Sequence, residues 1–276
     1  MRAIFGTIAG FAASAILMAG SVGADSIISN GSDTVLPLAQ KEAEAFMSKH
    51  PEHRITVVGG GSGVGIAALI DGTTDIANAS REIKIKEKRL ARKRGITPME
   101  HTVARDALSV IVHPKNPISK LTFDQLERIF TGDVKTWKDV GGPPKPIVIY
   151  SRDSSSGTYV FFKEHVLNKR EFSPTALLQP SNGAIVQAIS QTEGAIGYVG
   201  LPYLTKHVKA LAVSRKEEAY VAPTMETAKT GTYPVTRALY MYTNGEPKGL
   251  VKIFLDFILS KQGQDIVEEL GCIPVK

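Results

Sequence analysis

Cysteine occurs once in the 276 residues, at Cys272, so no disulfide can close within the chain and the fold must rest on its buried core. The six histidines are scattered; His50 and His53 straddle Pro51 instead of sharing a helix face, and no H-E-x-x-H pair exists to hold a catalytic zinc. Glycine is never followed by lysine, which excludes a P-loop. The glycine-rich run from Gly59 to Gly65 fails the G-x-G-x-x-G spacing, because the sixth position is Val64 counted from Gly59 and Ile66 counted from Gly61. Ser62 lacks the second glycine of a hydrolase nucleophile elbow, since position 64 is valine. Aromatic residues amount to 7% and do not interleave with basic runs, which argues against nucleic acid as a partner. These absences leave neither a metal nor a cofactor implied.

With 43% apolar and 22% charged residues the chain is globular, and its length suits one large domain or two lobes. Residues 1–24 read as a signal peptide. Arg2 makes a positive start, Ile4 to Gly20 is apolar and small, and Val22-Gly23-Ala24 offers the small residues of a cleavage site, so the mature chain is expected to begin at Asp25. No cysteine lies there to carry a lipid anchor. The expectation is a protein exported to the periplasm and soluble after cleavage. Losing Arg2 lowers the formal charge of +6 by one, leaving a modest excess suited to anionic partners.

What the chain does contain is a repeated junction of strand, small polar turn and helix start. The plainest case is Tyr150 to Thr158, where the apolar run Pro146 to Tyr150 precedes Arg152-Asp153-Ser154-Ser155-Ser156-Gly157-Thr158, and Tyr159, Phe162 and Val166 follow at helical spacing. The first amides of a helix have no intrahelical partner, and the helix dipole puts partial positive charge there, so an anion fits the position. Ser156 and Thr158 add hydroxyls, Gly157 permits close approach, and Arg152 supplies a planar fork matched to a tetrahedral oxyanion. The same pattern also fits an ordinary capped helix start. Two further junctions weigh against that: Ile27 to Thr34 before a helical stripe from Leu36 to Met47, and Ile55 to Gly65 before the apolar Ile66 to Ile70. In the second, Ser62 sits in a flexible backbone nest.

Asp75 to Ser80 reads as a buried strand emerging at Arg81, and Asp106 to Val112 as another, with His113-Pro114 marking a crossover. Lys84 to Arg94 carries seven basic residues against Glu87, the usual pattern of a solvated helix face. Thr122 to Gln125 has the form of a capping box. Gly194 to Gly200 and Val208 to Val213 read as strands, Tyr233 to Thr243 as the strand returning to the first lobe, and Leu250 to Ile258 as an amphipathic helix. Alternating strands and helices imply an α/β fold with mostly parallel sheets flanked by helices and ligand bound beyond the carboxyl ends of the strands.

The motifs G-S-D-T-V at Gly31 to Val35, G-G-G-S-G at Gly59 to Gly63, D-I-A-N-A-S-R at Asp75 to Arg81, R-D-S-S-S-G-T at Arg152 to Thr158 and G-A-I-G-Y-V at Gly194 to Val199 stand in an order that resembles one family over nearly the whole mature chain. It is similar to the phosphate-binding proteins of bacterial phosphate ABC transporters, which are type II periplasmic binding proteins. The resemblance implies two lobes, residues 25–113 with 233–276 and residues 114–232, closing on one phosphate. It implies no enzymatic activity, a membrane permease as partner, and a monomer. Carried over by position, the phosphate-binding set is Ser32, Thr34, Val35, Ser62, Arg81, Arg152, Ser156, Gly157 and Thr158. The sequence departs from the best-known members where Arg81 replaces an aspartate that accepts the phosphate proton and Ser154 replaces a second aspartate. Asp33, Asp106 and Asp153 are then the candidate acceptors, with Asp106 favoured for its place at a strand start near the hinge. Other readings are sulfate or molybdate as the ligand, a secreted phosphatase, or an adhesion or sensing role on the same scaffold.

Overall fold

The computed structural model describes residues 25–275, and the expected signal peptide lies outside the described residues. Strand β1 (Ser26–Gly31) leads to helix α1 (Leu36–Lys49), β2 (Arg54–Val58) to α2 (Ser62–Asp71), and β3 (Ile76–Ala79) to α3 (Ile85–Lys93). A long strand, β4 (Pro98–Val112), then crosses the molecule. The second half of the fold holds β5 (Lys120–Thr122), α4 (Phe123–Phe130), β6 (Val148–Arg152), α5 (Gly157–His165), β7 (Leu177–Gln179), α6 (Asn182–Gln191) and β8 (Ala195–Gly200). Short strands β9 (Lys209–Ala210) and β10 (Ala212–Ser214) and helix α7 (Met225–Lys229) follow. Strand β11 (Thr236–Asn244) returns, and α8 (Gly249–Ile258) and α9 (Lys261–Glu269) close the fold.

The strands run in the order β2-β1-β3-β11-β4-β8-β6-β7. Pairing is parallel within each outer group, β1 with β2 and β3, and β6 with β7 and β8. It is antiparallel around the two crossing strands, β11 with β3 and β4, and β4 with β8. Leu239 to Tyr240 carries a register shift against β4, the kind of irregularity that bends a strand. The expected α/β architecture therefore stands, with antiparallel strands confined to the crossing.

Two departures from the sequence reading concern β4. It begins at Pro98, not Asp106, because its first residues alternate between partly buried and exposed and carry little apolar signal. The exchange of partners also falls inside the strand: residues up to Ala107 pair with β11, and Leu108 to Val112 pair with β8. The segment read as one strand from Val208 to Val213 divides, β9 joining β4 and β10 joining β5 in a small separate sheet.

The two larger of the four buried hydrophobic clusters among the described residues divide in the same way. One packs Leu108, Val110, Phe130, Trp137, Phe162 and Tyr198, the last two stacked with ring centroids 4.1 Å apart. The other packs Ile27, Phe46, Leu239, Met241, Phe254 and Val267. The capping box of α4 is present, Gln125 N–H donating to Thr122 Oγ1 at 3.2 Å and Thr122 N–H to Gln125 Oε1 at 2.9 Å.

Glu42 on α1 is fully buried, and neither carboxylate oxygen has a hydrogen-bond partner. Burial pushes its carboxyl well above the ordinary value of 4.5. A folded-state pKa raised above the unfolded one means that the folded protein binds the extra proton, so stability is fullest below the ordinary carboxyl pKa and falls as pH rises through the interval to the folded value. Glu42→Met removes the buried polar group and is expected to stabilise the protein at neutral pH by about 1–3 kcal/mol. Urea unfolding from about pH 5 to about pH 8 should show the parent losing stability relative to the variant as pH rises; parallel curves would show that Glu42 does not titrate in that window.

Candidate functional site

The carboxyl ends of β1, β3, β6 and β7 point to one region between the two cores, and four helix starts meet there. At the first, Asp33 and Thr34 were the obvious caps for α1, yet the helix has no side-chain cap. Both side chains instead reach across the cleft. Thr34 Oγ1 lies 2.8 Å from Thr158 Oγ1, and Asp33 Oδ2 accepts from the N–H and Nδ2 of Asn182 at 3.0 and 3.1 Å. The Val35 amide, expected to face a ligand, donates to the Ser32 carbonyl at 3.1 Å.

At the second junction Gly61 adopts φ +102, which turns the chain into α2, and a Cβ there would stand 2.6 Å from Ser155 Oγ. The turn brings Ser62, fully buried, to the end of β3. Its Oγ accepts from the Ser80 amide at 3.0 Å and lies 3.4 Å from Ser80 Oγ, which in turn accepts from Ser32 Oγ at 3.1 Å. At the third junction Ser156 caps α5, its Oγ accepting from the Tyr159 amide at 3.3 Å. The amides of Gly157 and Thr158 in that first turn have no intrahelical partner. Gly157 packs so closely on the opposite wall that a Cβ would stand 2.3 Å from Ser62 Oγ and 2.6 Å from Ser80 Oγ.

Arg152 ends β6 and is 1% exposed. Its Nε and Nη2 donate to the carbonyls of Gln179 and Pro180 at 3.2 and 2.8 Å, which fixes the guanidinium plane. Nη1 stands 3.3 Å from Asp33 Oδ2, close enough for attraction but without hydrogen-bond alignment, so a buried donor is left undirected within the protein. The backbone of Arg152 is held from behind, where Tyr198 Oη lies 2.7 Å from Ser151 Oγ.

The structure thus gathers Ser32, Thr34, Ser62, Arg152, Ser156, Gly157 and Thr158 into one region, and it sets three of the expected residues aside: Val35, whose amide is held by the Ser32 carbonyl, Arg81 and Asp106. Arg81 forks onto Glu87, with Nη1 to Oε2 at 2.8 Å and Nη2 to Oε1 at 2.7 Å. Burial pushes the Glu87 carboxyl up, but the bonds from Arg81 and the Lys84 amide outweigh it and hold it below the ordinary range. Asp106 pairs with its cross-strand neighbour Arg237, Oδ2 accepting from Nη2 at 2.9 Å and Nε at 3.2 Å, while Oδ1 accepts from the Leu201 amide at 3.2 Å. Burial pushes its carboxyl up against the pull of Arg237. Both of its oxygens thus accept from Arg237 and the Leu201 amide, and none of the gathered hydroxyls bonds to it. Asp153, the remaining candidate, accepts from the Ser155 amide at 2.8 Å and shapes the turn.

Three members of the region escaped the sequence reading. Ser80 was seen only as the neighbour of Arg81. Asn182 opens α6 behind Ser181, whose Oγ accepts from the Ala184 amide at 3.0 Å, and that Ser-Asn-Gly start is a fourth junction with only a weak strand before it. Tyr203, whose hydroxyl donates to the Asp33 carbonyl at 2.8 Å, gave no signal in the sequence. A neighbouring interlobe groove of about 380 Å³ shares Arg81 and Arg237 and is lined further by Phe161, His165 and Tyr240.

Chemically, the region offers donors from hydroxyls, helix-start amides and one guanidinium. Among the described residues none of these hydroxyls bonds to a histidine or lysine that could serve as a base, and no group of residues fit to hold a metal ion occurs. Two lobes meeting over such donors define a solute-binding protein built for a small anion. The sequence profile of the PBP superfamily domain matches residues 19–262. A phosphate-binding protein PstS from Pseudomonas aeruginosa is 38% identical over 89% of this chain and 81% of its own length, and one from Bacillus subtilis is 34% identical over 91% and 81%. A Clostridium perfringens protein solved with bound phosphate superposes with a TM-score of 0.82 at 34% identity, covering 91% of this chain and all of its own. The chain belongs to the PBP superfamily and, within it, to the family of the PstS phosphate-binding proteins.

Gly157 gives a direct probe of closure. With Gly157→Ala the added methyl must displace Ser62 and Ser80 or hold the lobes apart. Small-angle scattering should give a larger radius of gyration for the variant than for the parent under ligand-saturating conditions; equal radii would mean that the serines give way without moving a lobe.

Proposed function

We propose that this protein captures inorganic phosphate outside the cytoplasmic membrane and delivers it to an ABC permease, working by binding and release with no covalent step. The observation that carries the reading is the undirected Nη1 donor of a buried arginine beside Asp33, whose neighbour Thr34 meets Thr158 across the cleft. In this reading a tetrahedral anion accepts from Arg152, from Ser32, Thr34, Ser62, Ser80, Ser156 and Thr158, and from the amides at the start of α5. Charge-assisted bonds in a water-poor cleft supply the affinity. Closure is a rotation about the two crossing segments, β4 near Ala107 and the chain entering β11, so the lobes are residues 25–107 with 236–276 and residues 108–235.

Phosphate near neutral pH still carries a proton and needs an acceptor, whereas sulfate needs donors only. Asp33 fills that role better than Asp106, since it is the carboxylate beside Arg152 and it comes from the opposite lobe. Arg81 acts from outside the ligand's contacts, by fixing α3 to the end of β3 through Glu87. The alternative reading as a phosphatase draws no support from the cleft, where among the described residues none of the gathered hydroxyls bonds to a histidine or lysine that could serve as a base.

Calorimetric titration should show phosphate binding one to one and much more tightly than sulfate. Arg152→Ala is expected to cost about 3 kcal/mol, roughly a hundredfold in affinity; an unchanged affinity would place the anion elsewhere. Asp33→Asn removes the proposed acceptor and should narrow the preference for phosphate over sulfate by roughly tenfold to a hundredfold. Discrimination that survives the change would mean that another group accepts the proton.

A further inference from the structure

Helix α3 buries only Ala91. With about 100° between successive residues, Glu87 and Ala91 share the inward side, and the opposite face carries Ile85, Arg89, Arg92 and Lys93 with Lys86 at its edge. Ile85 is 71% exposed at the start of that face. Of the nearby acidic groups, Glu87 is engaged by Arg81 and Asp71 by Arg94, and Glu82 precedes the helix with no salt bridge to it among the described residues. Among the described residues no salt bridge reaches Lys86, Arg89, Arg92 or Lys93. The outer face of α3 is therefore a patch of unneutralised positive charge around one apolar side chain.

We propose that this face rests on an anionic phospholipid surface and holds the protein close to the membrane. The cores of protein interfaces are depleted in lysine, enriched in aromatic residues and shaped to their partner. This face is rich in lysine and arginine and lacks aromatics, which matches charge smeared over headgroups better than a fitted protein epitope. Long basic side chains with an adjacent aliphatic residue are also how an interfacial helix meets a bilayer, the ammonium and guanidinium groups staying among the phosphates while the apolar group enters the boundary. Each such cation adds attraction that fades within a Debye length, so the contact is weak, reversible and salt-sensitive. α3 meets the rest of its lobe through its inward side, Glu87 on Arg81 and Ala91 in the cluster with Ile66, Leu69 and Ile70 of α2, so lipid contact on the opposite face leaves the hydroxyl cluster free. The proposal goes beyond the assigned function and does not depend on which anion the cleft takes.

The test uses the chain beginning at Asp25, which contains both cores, in flotation assays with vesicles. One set combines phosphatidylglycerol and phosphatidylethanolamine in equal parts, and the other is phosphatidylcholine alone. At low salt the protein should bind the first and not the second, and high salt should release it. Changing Lys86, Arg89, Arg92 and Lys93 together to Gln should weaken binding roughly tenfold or more. Changing the exposed Lys135, Lys138, Lys216 and Lys248 to Gln, which alters net charge equally, should not. Phosphate affinity, titrated in parallel, is expected to be the same in both variants, so failure of the cleft reading would register separately. The proposal is overturned by absence of binding to the anionic vesicles, by equal losses in the two variants, or by recruitment to permease-bearing neutral vesicles that the α3 changes abolish.

Discussion

A guanidinium removed from water has to be met by charge or by carbonyls, and Arg152 imposes that demand on the whole molecule. The idealised cost of burying such an ion is large, and even after relaxation it amounts to several kcal/mol. Gln179 and Pro180 satisfy Nε and Nη2 from its own lobe, and the carboxylate beside Nη1 belongs to Asp33 on the other. In the proposed function, separation of the lobes leaves Nη1 to solvent, and closure brings Asp33 and the anion. The aromatic stack of Phe162 and Tyr198 makes this demand effective, because it anchors the end of β6 so that the arginine cannot retreat.

In the proposed function the two crossing strands convert that local demand into a motion of lobes. β4 serves both sheets, pairing with β11 on one side of Ala107 and with β8 on the other. Asp106 and Arg237 pair across the strands at the exchange, and Arg237 Nη1 also donates to the Ser80 carbonyl at 3.3 Å. Their charges are thus spent on fixing the crossing to the end of β3 and set the position of the Ser80 hydroxyl indirectly. A buried pair of this kind is expensive to break from one side, which keeps the geometry of the crossing constant as the lobes turn.

Much of the site was legible because its chemistry is local. A short β-branched run followed by Ser, Gly and Thr and then a helical stripe dictates a helix start with free amides, and Ser62, Ser156, Gly157 and Thr158 all followed from that pattern. What the sequence could not carry was direction. Asp33 and Thr34 have the composition of caps, and only the placement of the second lobe shows them spanning the gap to Asn182 and Thr158. Asp106 looked available because the polar half of β4 hid the true strand start and the Arg237 partner lies far along the chain. Arg81 was within reach of a better reading, since Glu87 follows at the next turn as the single acid in a basic run. The Ser181-Asn182-Gly183 start could have been found by the same rule as the others, had it been preceded by a stronger strand; β7 is short and largely exposed.

The charge balance of the cleft explains why so many helix starts converge. Arg152 and Asp33 nearly cancel, so the site has little net charge with which to attract a dianion. Beside the charge-assisted contact of Arg152, the attraction in the proposed function comes from oriented dipoles: the amino ends of α1, α2, α5 and α6, each equivalent to roughly half a positive charge, and hydroxyls free to rotate their hydrogens inward. Such dipoles are fixed before the ligand arrives and need no counter-ion when it leaves. A receptor that must hold an anion firmly and then give it up is better served by this than by several cations, which would bind the ligand as strongly in an opened cleft as in a closed one. Because the donors are divided between lobes, separating the lobes halves the set at one stroke, and release follows from the same rotation that opened the path.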